Sequence, residues 1–153
     1  MQIKKAGIIT IGNEILLGKT LNTNLAWIGD QLAQLGISLE EAITIKDDKK
    51  AIMDCLESYT RRYDLIITTG GLGPTKDDIS KNTIAEFFGK ELIFIEEIWQ
   101  KIQDMFAFRN VAIPEVNRNQ AIVPQDFIAL DNQQGTAPGL FYEFDNKLLF
   151  CFP

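Results

Sequence analysis

The sequence of 153 residues predicts an α/β domain in which a mainly parallel sheet is covered by helices on both faces. Short apolar runs rich in β-branched residues, such as 6–11 and 65–69, are each closed by glycine and predict buried strands. They alternate with longer segments in which apolar residues recur at helical spacing. Because successive parallel strands are joined by right-handed helical crossovers, this alternation favours a parallel sheet.

The first half of the chain predicts three strands with a helix in each connection. Apolar residues three or four apart mark the first helix, which is capped by Asn22 or Thr23 and stops at Gly36. The second helix follows the cap candidates Asp47 and Asp48. The predicted strands are residues 6–11, 37–45 and 65–69.

The second half predicts two further helices and a C-terminal β-hairpin. The third helix begins near Asp78 or Ser80 and ends at Gly89, and apolar residues at helical spacing within 98–106 mark the fourth. The segment around residues 114–119 is predicted to be loop or short helix, and the hairpin strands are 140–144 and 148–152.

The charge balance and the absence of histidine exclude several classes of function. Lysine and arginine number 15 against 21 acidic residues, so the formal charge is −6, and histidine is absent. Without histidine, Ser-His and Cys-His nucleophile pairs and the common zinc sites are excluded. Nucleic acid is not an expected partner, because such binding depends on basic clusters that neutralise phosphates. Chemistry would rest on carboxylates, Lys, Arg, backbone N–H groups and a hard metal.

The sequence lacks the features of export and of membrane insertion. Its apolar runs fall far short of the roughly 20 residues that span a bilayer. Residues 1–5 lead directly into the first predicted strand without a signal-peptide core. Cys55 and Cys151 lie within apolar patterns and are expected to be buried thiols in a reducing compartment. We therefore expect a cytoplasmic protein with no membrane partner.

The loop after the first predicted strand matches a P-loop only in part. Gly18-Lys19-Thr20 reproduces the last three positions of that motif. Asn13, however, occupies the position of its first glycine, and Gly12 is one residue too early. Glu14 would also face a triphosphate. The sequence therefore argues against a P-loop.

The loop after the third predicted strand has the composition of an anion-binding site. Three glycines in four residues allow the backbone to approach a ligand closely and to aim N–H groups at it. The following helix offers its positive N-terminal end. The alternative is that the glycines only form a tight turn and that Asp78 only caps the helix. The candidates in this loop are Thr69, Gly70, Gly71, Gly73 and Thr75.

Paired aspartates follow two of the predicted strands. Asp77 and Asp78 would repel a phosphate beside the glycine-rich loop unless a divalent cation lay between them. Asp47 and Asp48 would approach the same edge of the sheet, although helix capping is the alternative for them. Arg118 is a candidate for pairing with a phosphate. The expected cofactor is a divalent cation such as Mg²⁺, Mn²⁺ or Co²⁺.

Five motifs follow one another along the chain, at residues 12–18, 22–24, 70–78, 117–121 and 135–139. In this order they resemble the N-terminal domain of the competence/damage-inducible CinA family. That domain belongs to the molybdopterin-binding superfamily, with MoaB and MogA. The resemblance covers nearly the whole chain and implies a three-layer α/β/α fold with the ligand at the glycine-rich loop.

The resemblance also implies an activity and a set of site residues. CinA-type domains are associated with metal-dependent hydrolysis of ADP-ribose to AMP and ribose 5-phosphate. Asp78 and Asp47 align with the acidic positions of the related pterin enzymes and are expected to be catalytic, with Asp48, Asp77 and Asp78 as metal ligands. The expected ligand-binding residues are Gly12, Glu14, Thr69, Gly70, Gly71, Leu72, Gly73, Thr75, Arg118, Gly135, Thr136, Pro138 and Gly139.

Two alternatives to this activity stay open. Molybdopterin binding or adenylyl transfer is less favoured, because Leu72 stands where the molybdopterin enzymes typically carry threonine. The other alternative is a non-catalytic nucleotide-sensing or scaffolding domain. The resemblance further implies one domain over residues 1–153 without the deamidase domain of many relatives, shortened at its C-terminal end. A homo-oligomer, either dimer or trimer, is expected.

Overall fold

Strands and helices alternate along residues 3–153, the part of the chain that the computed structural model describes. The strands are β1 (Lys5–Ile11), β2 (Ser38–Ile45), β3 (Leu65–Thr69), β4 (Leu92–Phe94), β5 (Ile122–Pro124), β6 (Ile128–Leu130), β7 (Gly139–Phe144) and β8 (Lys147–Phe152). The helices are α1 (Asn13–Leu16), α2 (Thr23–Gln34), α3 (Lys49–Arg62), α4 (Ser80–Phe87) and α5 (Glu96–Phe108), and a 3₁₀ helix covers Glu115–Ala121.

The central sheet is mixed and has six strands in the order β2-β1-β3-β8-β7-β6. Strands β2, β1, β3 and β8 are parallel, whereas β7 and β6 run antiparallel to their neighbours. The predicted mainly parallel sheet and the C-terminal hairpin are therefore confirmed. The sequence did not predict α1, β6, or the separate antiparallel pair formed by β4 and β5.

The connection order creates a crevice at one edge of the sheet. From β1 the chain passes to β2 on one side and then returns to β3 on the other side of β1. The connection after β1 thus leads to one side of the sheet and the connection after β3 leads to the other side, towards β6. The carboxyl ends of β1 and β3 meet where Thr10 pairs with Thr69. In open α/β sheets, ligands bind at such a topological switch point.

Apolar side chains cover both faces of the sheet, which gives the three predicted layers. Ile9 of β1 packs in a cluster with Ile52 and Leu56 of α3. Its neighbour Ile8 points to the other face, where it packs in a cluster with Ile28 of α2. Each fully buried aliphatic side chain of this kind contributes about 1.5–3 kcal/mol. Because β1 after Lys5 and all of β3 are buried on both faces, their sequences consist of apolar residues and threonine without a polar alternation.

Both cysteines lie in this core, as the sequence predicts. Cys55 and Cys151 are buried, and burial raises the pKa of each thiol to about 12. Neither thiol forms a disulfide. Within residues 3–153, the helices are all too short or too polar to cross a bilayer.

Candidate functional site

Two cavities flank the loop of residues 70–79, which joins β3 to α4. The switch-point cavity, of about 240 Å³, is bordered by residues that include Thr10, Glu14, Asn22, Thr69 and Gly70. The second cavity, of about 330 Å³, is bordered by residues that include Gly73, Thr75, Asp78, Lys81 and Asn119, and is named here the Lys81 cavity. The glycine-rich segment 70–73 therefore lies between two openings.

Gly70 attaches this loop to the sheet. Its N–H donates to the carbonyl oxygen of Phe152 at 2.9 Å, which continues the pairing of β3 with β8. Its φ is 97°, and a Cβ at this position would overlap the carbonyl oxygen of Ile11. Glycine is therefore required here for both conformation and space. The prediction that the Gly70 amide binds a ligand is wrong, because that amide is already bonded within the protein.

The N–H groups of the next three residues, Gly71, Leu72 and Gly73, differ from that of Gly70 because they have no acceptor within residues 3–153. Leu72 is buried and holds the loop against the core, while the carbonyl oxygen of Gly71 accepts from the N–H of Ser80 at 3.2 Å. Among the described residues, no hydrogen bond uses the N–H groups of Gly71, Leu72 or Gly73. Backbone N–H groups in folded proteins need acceptors, so these three amides are candidates for binding an anion.

Asp78 folds back onto this loop and does not cap the helix. Its Oδ2 accepts from the N–H of Thr75 at 2.9 Å and from the Thr75 hydroxyl at 2.6 Å. The carboxylate also lies against Gly73, where an added Cβ would come within 2.5 Å of Oδ2. Helix α4 begins at Ser80, after Ile79 at the capping position. The capping alternative for Asp78 is therefore wrong.

The other three aspartates have separate surroundings. Asp47 accepts from the N–H of Asn13 at 3.0 Å and so holds the loop after β1. Asp48 caps α3 by accepting from the N–H of Ala51 at 2.9 Å, as the alternative for it predicts. Asp77 is exposed and borders neither cavity.

The predicted three-aspartate metal centre is not assembled. Across residues 3–153, no group of three or more acidic or cysteine side chains is arranged to hold a metal ion. Asp48, Asp77 and Asp78 therefore do not form a metal-binding cage in this fold. A cation that shares its ligands with a bound phosphate needs only one or two protein carboxylates, and Asp78 beside the loop fits that simpler donor set.

The switch-point cavity brings together several of the predicted ligand-binding residues. Glu14 and Thr69 border it, together with Gly70. Gly12 lies directly beneath the Glu14 carboxylate, since a Cβ at position 12 would come within 2.7 Å of Glu14 Oε1. Asn22, the cap of α2, donates through Nδ2 to the Thr10 hydroxyl at 2.8 Å. The hydroxyl, amide and carboxylate groups here suit a sugar or a polar base.

Sequence reasoning missed Lys81, which borders the Lys81 cavity. It is only 9% exposed, and its ammonium group donates to the backbone carbonyl oxygen of Asn119. Burial lowers the pKa of this lysine to about 8, and the negative charge of Asp78 acts in the opposite direction. Lys81 precedes the apolar residue Ile84 by three positions, which places both on the same face of α4. This spacing was the feature of the sequence that indicated its burial.

The later predicted residues border neither of these two cavities, although Pro138 borders a small cavity together with Leu72 and Lys81. Gly135, Thr136 and Pro138 border a separate groove of about 350 Å³ against α5. Gly139 is buried at the start of β7, where an added Cβ would lie 3.3 Å from the carbonyl oxygen of Cys151. This segment therefore borders neither cavity beside the glycine-rich loop.

Arg118 stacks on aromatic rings. Its guanidinium carbon lies 4.6 Å from the ring centroid of Phe94 and 5.7 Å from that of Trp99. It borders neither the switch-point cavity nor the Lys81 cavity, whereas its neighbour Asn119 borders the latter. Its predicted pairing with a phosphate gains no support from this position.

The fold and its edge loops define an α/β domain whose candidate site lies at a topological switch point. The sequence profile of the family described as "Probable molybdopterin binding domain" matches residues 7–153. A CinA-like protein of Kosmotoga olearia is 42% identical over 149 residues, covering 97% of this chain and 36% of that protein. The chain thus spans about a third of the length of such curated relatives.

Solved structures agree with the sequence comparison. The crystal structure of the protein CinA from Thermoplasma acidophilum has a TM-score of 0.86 at 33% identity, covering 97% of this chain and 87% of that one. MoaB from Thermus thermophilus has a TM-score of 0.63 at 17% identity, which shows a shared fold alone. This chain belongs to the molybdopterin-binding domain family, in its CinA-like group.

Proposed function

We propose that this domain binds a nucleoside diphosphate sugar such as ADP-ribose and hydrolyses its diphosphate to give AMP and ribose 5-phosphate. One observation carries the proposal. The unbonded amides of residues 71–73 lie in a loop with an opening on each side, Gly70 bordering one and Gly73 the other. A ligand with a central diphosphate and a sugar at each end matches this arrangement.

The chain's own groups divide the remaining tasks. Oxygen Oδ2 of Asp78 is occupied by Thr75, while Oδ1 takes part in no hydrogen bond among the described residues. Oδ1 would hold a Mg²⁺, Mn²⁺ or Co²⁺ ion jointly with phosphate oxygens, as Mg²⁺ is commonly held. The cation would neutralise phosphate charge and lower the pKa of a bound water. Glu14 and Asn22 would hold hydroxyl groups of the sugar in the switch-point cavity.

The proposal is tested by product formation. Purified protein is incubated with ADP-ribose and Mg²⁺, Mn²⁺ or Co²⁺, and AMP and ribose 5-phosphate are separated by chromatography. We expect turnover with at least one cation and none with a chelator. Asp78→Ala is expected to lower turnover at least a hundredfold, while the exposed control Asp126→Ala keeps the wild-type rate. Binding of ADP-ribose without turnover under all conditions would favour a non-catalytic nucleotide-sensing domain.

Molybdopterin binding is the second candidate, and the description of the matching family favours it. The buried side chain of Leu72 offers no hydroxyl at the position where threonine is typical of the molybdopterin enzymes. Calorimetry with molybdopterin and with ADP-ribose separates the two candidates by which ligand binds more tightly. A homo-oligomer of two or three subunits is also proposed, and light scattering of the purified chain decides between these numbers.

A further inference from the structure

Among the described residues, Lys81 is a buried cation without an ion-pair partner at contact distance, although the Asp78 carboxylate borders the same cavity and acts on the lysine through space. Of the charged side chains in residues 3–153, Lys81 alone is less than one tenth exposed. Its ammonium group carries three donors, and Asn119 supplies one neutral carbonyl acceptor. Within the described part of the chain, none of the ion pairs includes Lys81. Burying a charge in this state is unfavourable unless a further partner is present.

The space next to the ammonium group has the features expected of that partner's site. The Lys81 cavity holds about 330 Å³ and is bordered by Gly73 and Thr75 of the glycine-rich loop and by Asn82 of α4. The missing partner is therefore a group with negative charge and several acceptor oxygens. A phosphate has both properties, and Lys binds phosphate as a compact point charge.

We propose that Lys81 is the anion-binding residue of this site and receives one of the two phosphates of the substrate's central diphosphate. The inference rests on the proposed function and adds an orientation to it. One half of the bound substrate, which leaves either as ribose 5-phosphate or as AMP, occupies the Lys81 cavity. The other half occupies the switch-point cavity. A merely structural Lys81 would instead serve to hold Asn119 against α4.

Two variants distinguish these roles. Lys81→Met removes the charge and the hydrogen bond to Asn119, whereas Lys81→Gln removes the charge and retains a donor for Asn119. The matched control is Lys50→Met, which removes an exposed lysine whose partner is Asp54. Binding of inorganic pyrophosphate with Mg²⁺ is measured by calorimetry, the melting temperature by calorimetric scanning, and KM and kcat with ADP-ribose.

We expect both Lys81 variants to bind pyrophosphate at least tenfold more weakly than wild type, with Lys50→Met within twofold. Neither Lys81 variant is expected to melt below wild type, because each removes a buried charge that lacks an ion-pair partner at contact distance within residues 3–153. Three results would overturn the inference. The first is wild-type affinity in Lys81→Gln, and the second is that affinity together with a lowered melting temperature in Lys81→Met. The third is no binding of pyrophosphate by wild type. If wild type binds pyrophosphate but does not hydrolyse ADP-ribose, the proposed function fails and the role of Lys81 is still decided by the affinities.

Discussion

The connections after β2 and β3 both carry aspartates, yet they use them differently. Residues 46–48 form the short connection to α3, and Asp48 caps that helix. Residues 70–79 form a longer connection, and Asp78 turns back to accept two hydrogen bonds from Thr75. In a short connection, an acidic residue lies next to the helix start and caps it. A longer connection allows it to shape a loop that retains unused amides.

The largest effect is expected where the longer connection leaves the sheet. Gly70→Ala places a Cβ against the carbonyl oxygen of Ile11 at a φ of 97°, so we expect a loss of about 3 kcal/mol or more in unfolding free energy. The control is Gly18→Ala, which has a φ of 67° and nothing within 4 Å, and which should lose only about 1–2 kcal/mol. Urea unfolding measures both. Equal losses would show that the close approach at Gly70 is unimportant.

A smaller effect is expected from the short connection. Asp48→Ala removes the acceptor for the N–H of Ala51, and loss of such a cap costs about 1 kcal/mol. Because Asp48 borders neither cavity, turnover of ADP-ribose should stay within twofold of wild type. Urea unfolding and steady-state kinetics test the two statements separately. A loss of turnover greater than tenfold with unchanged stability would show that Asp48 takes part in binding the metal ion.

The smallest effect is expected at Arg118, outside both connections. Arg118→Ala removes an exposed cation–π contact with Phe94 and Trp99, which is worth about 0.5–1 kcal/mol. The KM for ADP-ribose should stay within twofold, since this side chain lies outside both cavities. Thermal unfolding and kinetics provide the check. A tenfold rise in KM would mean that Arg118 leaves its aromatic partners to bind substrate.

Local pattern predicted most of the fold. Strand β1 after Lys5 and strand β3 are buried on both faces, and their runs of mostly apolar, β-branched residues are visible in the sequence. Helix α1 and strand β6 have only four and three residues, too few for a period to be recognised. The pairing of β4 with β5 joins segments on either side of α5, which a local pattern does not reveal.

The candidate site was predicted less completely, because its details depend on distant contacts. The Gly70 amide is occupied by Phe152, which lies in the last strand of the chain. Whether an aspartate caps a helix or folds onto its own loop depends on where the helix begins, and Asp78 precedes that point by two residues. Lys81 was overlooked because lysine is almost always exposed. Its spacing from Ile84 was a weak signal of burial, and its contact with Asn119 and the packing around α4 show it directly.

The proposed binding of ADP-ribose requires that the amides of Gly71, Leu72 and Gly73 receive its diphosphate. The direct measurement is a titration of the ¹⁵N-labelled chain with ADP-ribose and Mg²⁺, followed by amide NMR shifts. We predict that these three amides shift most and saturate together, while the amide of Gly135, which borders a different groove, stays unchanged. Saturable binding that leaves the three amides unshifted would contradict the account.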